Sequence, residues 1–206
     1  MEWKYPITKY VYRKFSGPTA LLFYKLGIEP NHVTVLSLIL GIISAIFLAQ
    51  KMFIVGLIVL FISEILDCTD GDLARMKKKA NKKGEFLDSF LDRIVEVFLF
   101  YGLIFTNPSQ LMLIGTLALV WSLLVTYARS KAEVVGVPCE IGIASRDVRM
   151  LILMISILLA PFYPETIYWG FFLIAILSVI TVIQRFWYTY HKIKDRTVSP
   201  HVGQNR

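Results

Sequence analysis

Long apolar runs, separated by short polar segments, dominate this sequence of 206 residues. Apolar runs of roughly 17 to 25 residues match the hydrocarbon core of a bilayer, and a soluble core does not require them. Because backbone groups in lipid must be satisfied internally, such runs fold as helices. With 56% hydrophobic residues, the chain is predicted to be one all-α integral membrane domain. We predict six transmembrane helices, at residues 33–49, 53–75, 86–105, 111–128, 148–161 and 167–190.

The basic residues fall on one side of this six-helix arrangement. The formal net charge is +7, and among the segments that connect the helices only Lys51 lies on the far side. Residues 77–83 alone contain five lysines. The positive-inside rule therefore predicts a multi-pass protein of the cell membrane with both termini in the cytoplasm. A charge distributed by membrane side argues against nucleic acid as a partner.

The segments at the two ends of the chain have a different composition. Residues 1–28 mix aromatic and basic residues, which predicts a cytoplasmic interfacial amphipathic helix, broken into two short pieces at Gly17-Pro18. Residues 29–191 form the six-helix domain, and residues 192–206 form a polar cytoplasmic tail. No cleavable signal is expected, because the first long apolar run begins only near Val33.

A few local signals refine this outline. Asn31 is a candidate cap for the first spanning helix, and Ser145 for the fifth. Residues 134–145 lack an apolar period and are predicted to form a cytoplasmic excursion. Cys68 and Cys139 have no metal-ligand spacing and are predicted to be free thiols.

Four aspartates interrupt the apolar pattern at the end of the second helix and the start of the third. At about 100° per residue, Asp67 and Asp70 share one helix face, and Asp88 and Asp92 stack one turn apart on the next. A charge at bilayer depth costs roughly 2.5–3.5 kcal/mol, and converging acids also repel one another. A hard divalent cation, shared between carboxylates and a phosphate-bearing ligand, resolves both costs. We therefore predict a Mg²⁺ site facing the cytoplasm.

The residues around these acids support the same interpretation. Gly71, Ala74 and Gly84 remove side-chain bulk on the acidic faces and leave room for a ligand. Glu64, one turn before Asp67, is predicted to support the site rather than to bind the metal. Asp72 points elsewhere on the helix and is predicted to be solvated or paired with a lysine.

The spacing D67-x2-D70-G71-x2-A74-R75-x8-G84-x3-D88-x3-D92 resembles the complete signature of the CDP-alcohol phosphotransferase family. The resemblance implies an enzyme that moves a phosphoalcohol group from a CDP-linked donor to a hydroxyl by direct metal-assisted attack, with release of CMP. It also implies a homodimer, membrane lipids as partners, and two divalent cations, Mg²⁺ or Mn²⁺. The cation ligands would be Asp67, Asp70, Asp88 and Asp92, with Asp92 as the general base.

The resemblance further implies a nucleotide pocket lined by Gly71, Ala74 and Gly84. Arg75 would contact a donor phosphate through its planar fork, although a buried arginine–aspartate pair is an alternative. Asn31 and Thr34 match the Pro-Asn-x-x-Thr sequence at the start of the family's first spanning helix, near the nucleotide. For Asn31, capping is a sufficient alternative explanation.

Three later arginines, Arg129, Arg149 and Arg185, resemble the basic residues of the subgroup whose acceptor is inositol phosphate. They would hold the acceptor's phosphate, although arginines at helix ends also extend to the interface without binding a ligand. The donor would be a CDP-linked lipid, carrying a phosphatidyl or archaetidyl group. CDP-inositol as donor, which gives di-inositol phosphate phosphate, and glycerol phosphate as acceptor remain alternatives.

Two hypotheses from other classes remain open. Carboxylates inside a membrane also occur in cation channels and carriers. A non-catalytic membrane partner with the same fold is disfavoured, because nothing structural requires four unpaired acids. The sequence shows no internal repeat, which disfavours a transporter built from repeats.

Overall fold

The computed structural model describes residues 12–79 and 81–193, and this part of the chain is entirely helical apart from turns and loops. Residues 1–11 of the predicted interfacial segment and residues 194–206 of the predicted tail lie outside the described residues. The helices are α1 (Arg13–Lys25), α2 (Pro30–Ala49), α3 (Phe53–Met76), α4 (Lys82–Ile104), α5 (Pro108–Val134), α6 (Arg146–Leu159) and α7 (Thr166–Lys192).

Among the described helices, α2, α5 and α7 are long and apolar enough to cross a membrane. Helices α3 and α4 have 24 and 23 residues but carry the charged residues of the acidic stretch. Helix α6 has 14 residues, about 21 Å at 1.5 Å per residue. Large apolar side chains such as Ile58, Leu113 and Ile183 are exposed on the outside of the bundle. This surface suits lipid, and the predicted all-α membrane fold is confirmed.

The helices pack into one bundle around an apolar core. Helix α2 packs against α3 and α4, α5 packs against α4 and α7, and α6 lies between α3 and α7. The rings of Phe100 and Phe171 stack at 5.2 Å in the core. At Gly102 an added Cβ would lie 2.5 Å from the carbonyl oxygen of Ala45. Glycine at this position therefore lets α4 lie directly against the backbone of α2.

Helix α1 is continuous through Pro18, so the predicted break at Gly17-Pro18 is wrong. A proline in a helix interior removes the hydrogen bond to the carbonyl four residues earlier. Here that carbonyl belongs to Lys14, which is exposed, so solvent replaces the lost donor. On the opposite side, Ser16 and Ala20 are fully buried and hold α1 against α3.

The start of α2 also differs from the prediction. Glu29 is the cap residue and Pro30 the first helical residue, so the capping role of Asn31 is wrong. Proline suits this position because its ring fixes φ and the missing N–H has no partner there anyway. Ser145 is the cap residue of α6 as predicted, although its side chain makes no capping hydrogen bond. Both cysteines are free, as predicted.

The loop between α5 and α6, predicted as a cytoplasmic excursion, folds back onto α7. Cys139 and Ala144 in this loop are fully buried. The Ala144 N–H donates to the Thr181 hydroxyl at 2.9 Å. Gly142 has φ +115°, a conformation that favours glycine, and an added Cβ would collide with Thr181. The loop therefore closes one side of the site described next.

Candidate active site

Three of the four predicted metal ligands come together where α3 meets α4. One carboxylate oxygen from each of Asp67, Asp88 and Asp92 lies within 4.8 Å of the others. Oδ1 of Asp88 and Oδ2 of Asp70 are buried and have no hydrogen-bond partner among the described residues. Buried acceptors without donors are rare, and carboxylate oxygens are the ligands that hard divalent cations prefer. The residues therefore fit a divalent cation.

Asp70, the fourth predicted ligand, lies outside this group of three. It is buried on α3 and lines a cavity of about 250 Å³ together with Asp88. We call this space the small-residue cavity. All the residues predicted to bind the donor also line it: Asn31, Thr34, Gly71, Ala74, Arg75 and Gly84.

The side chain of Asp72 explains how Arg75 is held at this cavity. Asp72 Oδ1 lies 2.6 Å from Nη2 of Arg75, and the Ser16 hydroxyl donates to Oδ2 of Asp72 at 2.7 Å. The predicted lysine partner of Asp72 is thus wrong, and Arg75 takes that place because it lies three residues along the same helix. About half of the Arg75 side chain is exposed, so this is not the buried pair considered as an alternative.

Two lysines bind Glu29 at the edge of the small-residue cavity. Glu29 accepts hydrogen bonds from Nζ of Lys79 at 2.9 Å and of Lys77 at 3.2 Å. These contacts, with Lys79 the stronger, hold the pKa of the Glu29 carboxyl below its usual value. They tie the end of α3 to the start of α2 beside the cavity.

A second cavity, of about 360 Å³, lies on the other side of the aspartates. Five arginines contribute to its wall, and we call it the arginine cavity. With three acids in the same wall, two positive charges are in excess. The charged lining residues are Asp92, Arg93, Arg129, Glu133, Arg146, Asp147, Arg149 and Arg185.

The three arginines predicted to bind the acceptor all line the arginine cavity, and each also contacts the protein. Nε of Arg129 lies 2.8 Å from Oε1 of Glu133. Arg185 is buried and donates to the carbonyls of Ile141 and Val125. Arg149 is fully buried, with a hydrogen-bond network described below.

Arg146 is the site residue that the sequence interpretation missed. Its guanidinium donates to Oδ2 of Asp67 at 3.0 Å and to Oε1 of Glu64 at 3.1 Å, and lies 2.9 Å from Oδ1 of Asp92. Glu64 therefore supports the cluster, as predicted, through Arg146. The sequence S-R-D-V-R offered Arg146 beside Arg149. Only the fold, which joins residues 79 positions apart, distinguishes their environments.

Asp88 and Asp92 lie one turn apart on α4 but line different cavities, Asp88 the small-residue cavity and Asp92 the arginine cavity. The aspartate cluster therefore separates two polar chambers. A ligand in either chamber would lie beside the same aspartate cluster, next to Asp88 in one and Asp92 in the other.

A profile of the CDP-alcohol phosphatidyltransferase family matches residues 28–183. The chain belongs to this family. It is a CDP-alcohol phosphotransferase, which confirms the resemblance found in the signature. Enzymes of this family depend on divalent cations, and the carboxylates described above fit that requirement.

Similar proteins include two that are named for their activities. An archaetidylinositol phosphate synthase of Pyrococcus horikoshii is 35% identical over 162 residues, covering 78% of this chain and 82% of that protein. A bifunctional IPC transferase and DIPP synthase of Archaeoglobus fulgidus is 31% identical over 169 residues, covering 76% of this chain and 33% of that protein.

Solved structures of the family share the fold. The phosphatidylinositol phosphate synthase of Mycobacterium tuberculosis with CDP-DAG bound has a TM-score of 0.79 at 23% identity, covering 94% of this chain and 99% of that one. The same enzyme in complex with manganese and citrate has a TM-score of 0.78, covering 93% of each chain.

Proposed function

We propose that this enzyme transfers a phosphatidyl or archaetidyl group from a CDP-linked lipid to a hydroxyl of inositol phosphate and releases CMP. The observation that carries the proposal is the position of the aspartate cluster between two polar cavities, one lined by small residues and one rich in arginine. A reaction between a nucleotide-linked donor and an anionic acceptor needs two such chambers beside one reacting centre.

The small-residue cavity suits the cytidine end of the donor. Gly71, Ala74 and Gly84 contribute little bulk to its wall, and a larger side chain there would occupy ligand volume. Arg75, oriented by Asp72, would contact a donor phosphate. Asn31 and Thr34, on the first turns of α2, would contact the nucleotide.

The arginine cavity suits a phosphorylated acceptor, because its wall carries excess positive charge. Guanidinium groups match phosphate oxygens in geometry as well as charge. We assign the acceptor's phosphate to Arg129, Arg149 and Arg185. The P. horikoshii relative is an archaetidylinositol phosphate synthase, and this similarity supports inositol phosphate as the acceptor.

The reaction then places Asp92 at the acceptor hydroxyl. Asp92 accepts the hydroxyl proton, the oxygen forms a bond to the lipid-bearing phosphorus, and the bond from that phosphorus to the CMP oxygen breaks. Asp67, Asp70, Asp88 and Asp92 would hold two divalent cations, Mg²⁺ or Mn²⁺, which neutralise pyrophosphate charge when bound. Throughout this step, Arg146 holds the carboxylates of Asp67 and Asp92 near each other.

We further propose that α2 to α7 are the six spanning helices, with α1 on the cytoplasmic surface and the site open to the cytoplasm. Only Lys51, in the turn between α2 and α3, lies on the opposite side among the basic residues of connecting segments. Helix α6 is short, and we place its first turn, with the site residues Arg146 and Arg149, at the membrane boundary. A homodimer is the proposed assembly, as the resemblance implies.

CDP-inositol is a second candidate donor, and the A. fulgidus relative, named for IPC transferase and DIPP synthase activities, is the observation that favours it. The rival lipid donor is supported by the solved neighbour with CDP-DAG bound. The acceptor cavity would serve either reaction, so the two proposals differ only in the donor.

A crossed substrate screen tests the proposal. CMP release by the purified protein is measured with Mg²⁺, combining CDP-diacylglycerol, CDP-archaeol or CDP-inositol with inositol phosphate, glycerol phosphate or serine. We expect release with a CDP-lipid and inositol phosphate. Release only with CDP-inositol would replace the donor, and release only with glycerol phosphate would replace the acceptor. No release with any pair, together with cation flux in liposomes that survives Asp92→Asn, would support a channel instead.

A further inference from the structure

Glu96 is a buried carboxylate that lines neither cavity. It lies one helical turn after Asp92 on α4 and is completely inaccessible to solvent. Its Oε1 accepts hydrogen bonds from Nε and Nη2 of Arg149 at 3.0 and 2.8 Å. Its Oε2 accepts one from Nη1 of Arg93 at 2.6 Å. A single carboxylate thus binds two arginines of the arginine-cavity wall.

This network of buried charges has a large desolvation cost, which makes it a poor means of stabilising a membrane bundle. Burying charges costs several kcal/mol each, and apolar residues of similar volume often stabilise a core equally well. Packing alone therefore does not account for three charged side chains at this place. The network does hold the two guanidinium groups in a defined orientation, because both oxygens of Glu96 accept hydrogen bonds from them.

The two arginines have N–H groups that the hydrogen bonds to Glu96 do not use. A guanidinium has five N–H groups. Arg149 uses three of them, two on Glu96 and one on the carbonyl of Ala144 at 2.8 Å. Nη1 of Arg93 also donates to the Thr126 hydroxyl at 3.0 Å, while its buried Nε has no partner among the described residues. Both arginines line the arginine cavity with donors to spare.

We propose that Glu96 is a positioning residue that orients Arg93 and Arg149 toward the phosphate of the acceptor, and so sets acceptor affinity without touching either substrate. The inference rests on the proposed function only in that the acceptor carries a phosphate. The inference does not depend on which polyol carries that phosphate. Arg93, which the sequence interpretation did not select, thereby becomes part of the acceptor wall.

The test is Glu96→Gln, which keeps the shape of the side chain but removes its charge and gives one terminal atom donor hydrogens. A guanidinium facing those hydrogens must turn away. We expect the KM for the phosphorylated acceptor to rise at least about tenfold, the loss typical of a hydrogen bond to a charged group. The KM for the CDP-linked donor should stay within about twofold of the wild-type value.

Two further variants and a binding measurement separate positioning from folding. Glu96→Asp retains the charge on a shorter side chain and should give an intermediate acceptor KM, and it substitutes for the Gln variant if that protein does not fold. Glu165→Gln, an exposed acid at the start of α7, is the matched control and should equal wild type. Calorimetric binding of inositol 1-phosphate to Glu96→Gln should weaken by the same factor as the KM rises.

The outcomes are distinct. A lower thermal midpoint with equal changes in both KM values, or an acceptor KM unchanged in Glu96→Gln, would assign Glu96 to stability alone and overturn the inference. If the wild type uses glycerol phosphate, the proposed acceptor fails, but the same comparison with glycerol phosphate still tests Glu96. If the wild type uses only an unphosphorylated acceptor, the inference is overturned as well.

Discussion

Four acidic residues of this chain differ in the hydrogen-bond partners of their carboxylates, and this difference indicates their roles. Asp72 and Glu96 have both oxygens on hydrogen-bond donors of the protein. Asp70 and Asp88 each leave one buried oxygen without a donor among the described residues. The first two carboxylates orient arginines, and the second two are poised to bind something that the protein does not supply.

We predict that Asp88→Ala or Asp92→Ala abolishes CMP release, by about 100-fold or more, because each change removes a metal ligand and Asp92 is also the proposed base. The protein should still fold, because removing one acid relieves repulsion within the cluster and Arg146 keeps its contacts with Asp67 and Glu64. Turnover is measured with saturating Mg²⁺, and folding by detergent extraction and size-exclusion chromatography. Glu165→Ala is the exposed control. Wild-type turnover in either aspartate variant would refute the site assignment.

Arg146 gives a prediction about stability rather than turnover. Arg146→Gln leaves Asp67, Asp92 and Glu64 without their shared cation, and breaking a buried ion pair typically costs about 3–5 kcal/mol. The thermal midpoint in chelator should fall. Added Mg²⁺ should raise it more in the variant than in wild type, because the metal then supplies the missing charge. An equal Mg²⁺ shift in both proteins would contradict the role given to Arg146.

At the scale of helices, the contact between α2 and α4 leaves no room for an added side chain. Gly102→Ala would place a methyl group 2.5 Å from a backbone oxygen of α2, where no side chain can move aside. We expect a loss of about 1–3 kcal/mol in stability from the forced separation. Gly17→Ala in α1, with nothing within 4 Å of the new methyl, is the control and should not be destabilised. Thermal midpoints in detergent measure both.

The helices α2 to α7 were predictable from sequence because each contains an apolar run, although only α2, α5 and α7 among the described helices are long and apolar enough to cross a membrane. The fourth predicted helix, residues 111–128, for example, is observed within α5, which ends at Val134. The starts of helices were harder, because Asn31 is a good cap residue whose place Glu29 takes once Pro30 fixes the first turn. Helix α1 continues through Pro18, where the residue four positions earlier, Lys14, is exposed, and no local pattern reveals this.

The sequence predicted those parts of the candidate site that the residues of the signature form. The fixed spacing brought Asp67, Asp88 and Asp92 together and gave the lining of the small-residue cavity. It did not reveal Arg146 or Glu96, because each makes its decisive contacts with residues more than 50 positions away. The loop after α5 was predicted as a cytoplasmic excursion because it lacks an apolar period, while the burial of Cys139 and Ala144 comes from contacts within the fold, among them the one with α7.

For the whole molecule, the proposed orientation makes a labelling prediction. In a Cys68→Ser, Cys139→Ala background, Gln50→Cys lies in the turn between α2 and α3, and Lys83→Cys lies at the start of α4. A membrane-impermeant maleimide applied to intact cells should label the first and not the second, because the lysine-rich side stays inside. Permeabilised cells, in which both should react, are the control. The reverse pattern would invert the topology and place the aspartates on the outer face.

The division of the site by the aspartate cluster has a consequence for the order of events. Two substrates in separate chambers can be bound together as a ternary complex, so the reaction needs no covalent enzyme intermediate. A single displacement from the far side of the phosphorus then inverts its configuration. Double-reciprocal plots against the two substrates should intersect, and a phosphorothioate donor of one handedness should yield product of the opposite handedness.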